Sequence, residues 1–255
     1  MDEKLTATWS PEQILNPYLD SGYLKAKQQP AVSHEAIYQH IYADKHAGGT
    51  LDRALWGQNI HRKRHTGRER RGVIPNQVSI DQRPPIVVER GRFDAWEVDL
   101  ILRAGDQQAL VTLNERTSRC SLIAHIPTKT AQNGSDAMAF LRTPFKHCTH
   151  TLTTDNGKEF AQHEWIAARL DADFFFANPY ASWERGANEN MNSLIREFFP
   201  KKMRFNTITE KDVSLAMHRL NHRPRKYLGF RTPHEIFMES YTRRIMSLHF
   251  RVESA

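Results

Sequence analysis

Three short runs, "WEVDLIL", "QALVTLN" and "RCSLIAHI", follow one another between residues 96 and 126, separated only by short polar or Gly-containing turns. Each has the β-branched and aliphatic content of a strand. "THTLTT" and "ADFFFA" read as two more strands, each set off by a helical stretch. The resulting order, β-β-β-α-β-α-β-α, predicts an α/β domain whose mixed five-stranded sheet begins with an antiparallel meander and is flanked by helices.

The rest of the chain bounds what that domain works on. Its 255 residues, 39% hydrophobic and 25% charged, suit one catalytic-sized domain plus something smaller. Against 29 Asp and Glu stand 36 Lys and Arg, a formal charge of +7. Such a surface favours an anionic partner, nucleic acid being the commonest. Cys120 and Cys148 are the only cysteines and form no Cys-x-x-Cys, which disfavours zinc ribbons and disulfide scaffolds. A Gly-x-x-x-x-Gly-Lys phosphate loop is absent, against an ATP-driven machine. "MDEKLTATWSPEQ" lacks the plan of a signal peptide, and no apolar run approaches the roughly 20 residues of a membrane span. A soluble, intracellular protein without membrane contact is expected.

Three regions are expected. Residues 1–45 read as a small helical region, in which Ser10-Pro11-Glu12-Gln13 and Ser33 supply helix N-caps, and Ile37 and Ile41 form an apolar edge. Two such helices suit either a partial helix-turn-helix or a small bundle; "NPYLDSGYLKAKQQPAV" between them is long for the former. Residues 46–90 read as a basic, extended linker carrying "HRKRHTGRERR". If Arg62, Lys63, Arg64, Arg68, Arg70 and Arg71 all meet phosphates, affinity falls with a log–log salt slope of roughly −5; a solvated charge run is the alternative. Residues 91–245 form the α/β domain with its C-terminal helices.

Carboxylates fall at telling places. Asp99 lies inside the first strand run, where an acid is costly unless it faces solvent or a charge partner. Asp155 follows the fourth run, in "TDNGKEF", where Asn156-Gly157 is by itself an ordinary turn signal. A helix over roughly 187–199 carries Met191, Leu194, Ile195 and Phe198 as one apolar stripe. Glu189, Asn192, Ser193 and Arg196 project from its other side, as on an ordinary surface helix or in a cleft. Three acids converging at the sheet edge repel unless a cation joins them, and Mg²⁺ or Mn²⁺ suits such hard oxygen ligands. Two such ions activate a water or a 3′-hydroxyl and stabilise the leaving oxygen of a phosphodiester.

"WEVDLI", "TDNGKEF", "NPYASWERGANENMNSLIREFFPK" and "LNHRPRKYLGFRTPHEIF", with "WSPEQI" and "VSHEAIYQHIY" ahead of them, together resemble the insertion-sequence-30 family of bacterial transposases, over nearly the whole chain. The 33 residues between Asp155 and Glu189 match the spacing of that family's Asp-Asp-Glu triad. The resemblance implies an RNase H-like, retroviral-integrase-like core in which Asp99, Asp155 and Glu189 bind Mg²⁺ or Mn²⁺, two ions in all. It further implies cleavage at the ends of an element and transfer of the freed 3′-hydroxyl into target DNA. Asn156, Gly157, Asn188 and Asn190 would support the site. Arg196, and Arg223, Arg225 and Lys226 in "NHRPRKYLGFRTP", would contact DNA phosphates, although that last stretch reads equally as a basic loop packing the final helix.

Two departures from the family pattern stand out. Only eight residues precede Trp9, where members carry a further helix-turn-helix region, so weakened recognition of the element's terminal repeats is expected, in a truncated copy or one read from an internal start. "MNS" at 191–193 replaces a Thr-Asn-Gly stretch, a change expected to be mild. The expected partner is double-stranded DNA, both element ends and target, bound as a homo-oligomer in a bacterial cytoplasm at the nucleoid. The alternatives are an RNase H-like nuclease that cuts without joining and an inactive remnant that only binds DNA.

Overall fold

The computed structural model describes residues 2–7, 9–14, 32–54, 74–88, 93–103, 105–178 and 186–252; the side chains of 34, 35, 54, 88, 186, 187, 189 and 248–252 lie outside the description. The basic stretch with Arg62, Lys63, Arg64, Arg68, Arg70 and Arg71 lies outside it too. The chain divides into two compact units, Met1–Arg68 with His222–Glu235, and Glu69–Asn221 with Ile236–Ala255.

The smaller unit holds α1 (Asp2–Thr6) and α2 (His34–His46). Both expected caps form. The Ser10 N–H donates to Gln13 Oε1 at 2.9 Å while the Gln13 N–H donates to Ser10 Oγ at 3.3 Å, a reciprocal capping box. Ser33 Oγ accepts from the Ala36 N–H at the start of α2. Ile37 and Ile41, one turn apart, are buried with Leu5 and Ile14, and Trp9 and Leu51 pack at the edge of that cluster. The loop after His222 belongs to this unit. Arg223 is 4% exposed and donates to Gln13 Oε1 at 2.8 Å, the Gln13 amide donates to the Pro224 carbonyl, and Lys226 pairs with Glu12 at 2.7 Å.

The larger unit is built on β1 (Ala95–Leu102), β2 (Ala109–Glu115), β3 (Ser121–Ile126), β4 (Thr151–Thr154) and β5 (Asp173–Phe176). Their order is β3-β2-β1-β4-β5. β2 runs antiparallel to β1 and β3, whereas β4 is parallel to β1 and to β5. A meander continued by two parallel crossover strands is the RNase H-like arrangement, and all five expected strands are present. The crossovers are α3 (Ala131–Arg142) and α4 (His163–Leu170), followed after β5 by α5 (Gly186–Phe198), α6 (Glu210–Asn221) and α7 (Pro233–Val252).

Period-two alternation sorts the strand residues onto two faces. Trp96, Val98 and Leu100 of β1 join Val111, Leu113 and Leu152 on one face, against Met138 of α3, Ile166 and Leu170 of α4, and Phe237 of α7. Ile101 and Leu110 point to the other face and meet Met191, Leu194 and Ile195 of α5 and Val213, Ala216 and Leu220 of α6. Burying each such side chain contributes about 1.5–3 kcal/mol, so both faces are firmly covered. Glu97 and Asp99 stand on the α5 face of the central strand.

Candidate active site

β1 and β4 run parallel in the register Ala95↔Thr151, Trp96↔Leu152, Glu97↔Thr153. The paired register ends there, two residues before Asp99 within β1 and two before Asp155 just past the end of β4. β4 stops at Thr154, one residue before Asp155, while β1 continues to Leu102 on its pairing with β2. The early end of β4 leaves Asp99 half-buried in a strand that is otherwise covered up to its exposed last residue, Leu102. An acid is tolerated at the centre of the sheet for that reason.

Both carboxylates are held. Asp99 Oδ1 accepts from the Leu100 N–H at 2.9 Å, and Oδ2 accepts from the Asn192 side-chain amide of α5 at 2.7 Å. Asp155 Oδ1 accepts from the Gly157 N–H at 2.9 Å, which closes the turn that its sequence signals. The Asn156 amide donates to the Ala177 carbonyl at 2.8 Å and its oxygen accepts from Gln77 at 3.1 Å, so the turn is fastened to the end of β5. Turn chemistry and carboxylate placement are one structure here.

A buried polar layer anchors α5 beneath Asp99. The Asn188 N–H donates to Glu97 Oε2 at 3.1 Å, its side-chain amide faces the Val98 carbonyl at 3.4 Å, and its oxygen accepts from Asn114 at 2.7 Å. Glu97, 2% exposed in its side chain, pairs with the Arg116 guanidinium at 3.1 Å. Burial pushes the Glu97 carboxyl above the ordinary range, and Arg116 is the strongest influence pulling it back. These contacts fix the first turn of α5 against β1. Glu97, Asn114 and Arg116 were not singled out from the sequence, and Asn192 only as part of the polar face of its helix; the alternation that puts Glu97 and Asp99 on one face was the available signal for the first.

The remaining expected residues are placed as follows. Glu189 stands in the first turn of α5, between Asn188 and exposed Asn190, and its side chain lies outside the described residues. Arg196, half-buried near the other end of α5, donates to the Leu102 carbonyl at 2.6 Å and to the Phe199 carbonyl at 3.4 Å. It clasps the end of β1, and burial lowers its pKa. Arg223 is buried on Gln13 and Lys226 is exposed on Glu12, both in the smaller unit; half-buried Arg225 closes the loop through its backbone bonds with Phe230 and Arg231.

The donor set suits a hard divalent cation. Asp99 and Asp155 offer carboxylate oxygens with second lone pairs. Cys120 and Cys148 are buried, and burial pushes their thiols up to about 12 and about 11, far from the thiolate a soft metal needs. Among the described residues no group of three or more His, Cys, Asp or Glu side chains stands ready to hold a metal; the third expected carboxylate, Glu189, is outside them. Among the described residues, too, no helix is long and apolar enough to cross a membrane.

No family model matches the chain. Curated relatives do. The transposase for insertion sequence element IS4351 of Bacteroides fragilis is 41% identical over 232 residues, 91% of this chain and 69% of that protein. The transposase for insertion sequence element IS1086 of Cupriavidus metallidurans is 35% identical over 92% of this chain and 70% of its own length. The transposase of insertion sequence element IS30A of Escherichia coli is 34% identical over 92% of this chain, which spans 62% of it. With a sheet of this order and identity sustained along more than nine-tenths of its length, the chain belongs to the insertion-sequence-30 family of bacterial transposases.

Proposed function

We propose that this chain is an Asp-Asp-Glu transposase, which cleaves the phosphodiester at the ends of its element and transfers the freed 3′-hydroxyl into target DNA. The observation that supports this reading is the parallel pairing of β1 with β4, which runs to two residues before Asp99 and Asp155, with α5, the helix whose sequence includes Glu189, bonded to Glu97 and Asp99. Asp99, Asp155 and Glu189 would hold Mg²⁺ or Mn²⁺, as a pair of ions that supplies Lewis acidity toward the attacking and leaving oxygens.

The chain's own residues do the positioning. Asn192 and the Leu100 N–H hold the two Asp99 oxygens, and the Gly157 N–H holds Asp155, so neither carboxylate must reorganise when charge gathers between them. Asn188, bonded to Glu97, fixes the turn of α5 that carries Glu189. The basic stretch over residues 62–71 supplies sequence-independent grip on duplex DNA, in keeping with the net charge of +7. Arg196, Arg225 and Lys226 would add phosphate contacts, Arg196 after exchanging a carbonyl partner for a phosphate oxygen. Bringing two element ends together requires more than one copy of the chain on DNA, at the nucleoid of the bacterial cytoplasm.

The test mixes the purified chain with labelled linear duplex and Mg²⁺ or Mn²⁺, alongside Asp155→Ala, and resolves nicked and joined products on one gel. Joined products that vanish in the variant are the expected result. Nicks without joining would replace strand transfer by nuclease activity, and products that persist in Asp155→Ala would remove that residue from the site.

A further inference from the structure

A second charged site lies at the other end of the same two strands. A cavity of about 380 Å³ opens in the larger unit where β1 and β4 begin. Asp94, the residue before β1, and His150, the residue before β4, line one side. Ser240, Arg243, Arg244 and Ser247 line the other, spaced i, i+3, i+4, i+7 along one face of α7. Asp94 and Asp99 are five residues apart on an extended strand, roughly 17 Å. A group seated in the cavity is therefore not the group reacting between Asp99 and Asp155.

The cavity is built. Asp94 sits in left-handed backbone at φ 81°, and its carbonyl accepts from the His150 N–H at 3.1 Å. That conformation is costly for a residue with a side chain and persists only where its surroundings hold it. Arg244 donates through Nη2 to His150 Nε2 at 3.1 Å. A guanidinium only donates, so Nε2 is the acceptor, and the ring is neutral with its proton on Nδ1. His150 thereby aims Arg244. Arg243 spends one donor on Glu239 at 2.7 Å and keeps its guanidinium mostly in solvent.

The charges leave room for an anion. Asp94 is 1% exposed, and its charge bears on the Arg142 guanidinium beneath it, whose pKa burial lowers to about 10. Among the residues that line the cavity, Arg243 and Arg244 outweigh Asp94; Arg142 behind them is balanced by the Glu115 carboxylate, which accepts from the Asp94 N–H at 3.2 Å. Ser247 spends its hydroxyl on the Arg244 carbonyl at 2.7 Å; the two guanidinium forks and the Ser240 hydroxyl on one helix face are the donor set of a tetrahedral oxyanion.

We infer that this cavity seats a phosphate group of the DNA backbone, at a place distinct from the reacting phosphodiester. The inference rests on the reading of the chain as a DNA-acting transposase. It assigns Arg243 and Arg244 to DNA contact and gives α7 a task besides packing Phe237 into the core.

The test compares the full chain with its Arg243→Gln/Arg244→Gln variant in binding a short duplex across a salt series. His150 ring resonances of the unsubstituted chain are followed by NMR as the duplex, or inorganic phosphate alone, is added. We expect the duplex to shift the His150 resonances, and the variant to bind about tenfold more weakly with a log–log salt slope shallower by roughly one per phosphate lost. An unchanged slope with an unmoved His150 overturns the inference while leaving the transposase reading intact. A His150 shift with inorganic phosphate and none with duplex overturns DNA as the source. A full chain that binds no duplex overturns both readings. The NMR arm uses the unsubstituted protein, so a variant that fails to fold does not remove the test.

Discussion

Asn192 donates to Asp99 Oδ2 at 2.7 Å, while its own Oδ1 is buried and accepts no hydrogen bond among the described residues. The amide cannot be turned over, because a carboxylate accepts only from the nitrogen end. One oxygen of a proposed metal ligand is thus held by a residue whose remaining acceptor lies beside the site. A hydrogen bond to a charged group is worth about 1.5–3 kcal/mol. Asn192→Ala should therefore weaken Mn²⁺ binding by about 10- to 100-fold with the fold kept, as read by calorimetric titration and circular dichroism. Unchanged Mn²⁺ affinity would reduce the contact to packing. A second residue-scale expectation concerns the thiols. Cys120 and Cys148 are buried, with pKa raised to about 12 and about 11, so both stay neutral at pH 8. Iodoacetamide at that pH should label neither in the native chain and both in denaturant, counted by mass spectrometry; rapid native labelling would mean that the core around them opens.

At the scale of elements, α5 shows what periodicity can and cannot fix. The spacing of Met191, Leu194 and Ile195 predicts the buried stripe, and all three are buried against β1, β2 and α6. Phe198, expected in the same stripe, is half-buried, and Phe199 takes the interior position instead at 2% exposure. The helix ends at Phe198, and the next residue, bonded through its N–H to the Ile195 carbonyl, turns inward. Where a helix stops depends on its neighbours, so a stripe is least legible at its end. Glu97 is a similar case: alternation gives its face, but its burial depends on Arg116, nineteen positions later in the turn after β2. Because the stripe carries α5, Leu194→Ala should destabilise the protein by about 2–5 kcal/mol. Exposed Asn190→Ala should stay within about 0.5 kcal/mol. Urea denaturation of both variants decides it, and equal midpoints would mean that α5 is held by its polar contacts alone.

For the molecule as a whole, five strands in the right order were legible because each run carries its own period and its own turn signals. The pairing of β1 with β4 was not, since it joins segments more than fifty residues apart and depends on the whole sheet. The nearness of Asp99 and Asp155 in the chain's fold could be suspected from residue type, whereas the parallel register that runs toward them could not. The proposed site has a thermodynamic consequence for the entire fold, because any ion binding the folded state alone stabilises it by mass action. At an ion concentration 100 times its Kd the gain is about 2.7 kcal/mol, which for a chain of this size corresponds to roughly 5–10 °C in Tm. Mn²⁺ should therefore raise the melting temperature of the unsubstituted chain. Asp155→Asn should gain little from Mn²⁺. The two melting temperatures therefore separate on going from chelator to excess Mn²⁺ in scanning calorimetry. An equal gain from Mn²⁺ in both proteins would mean that Asp155 does not help bind the ion, and the site would have to be rebuilt around other residues.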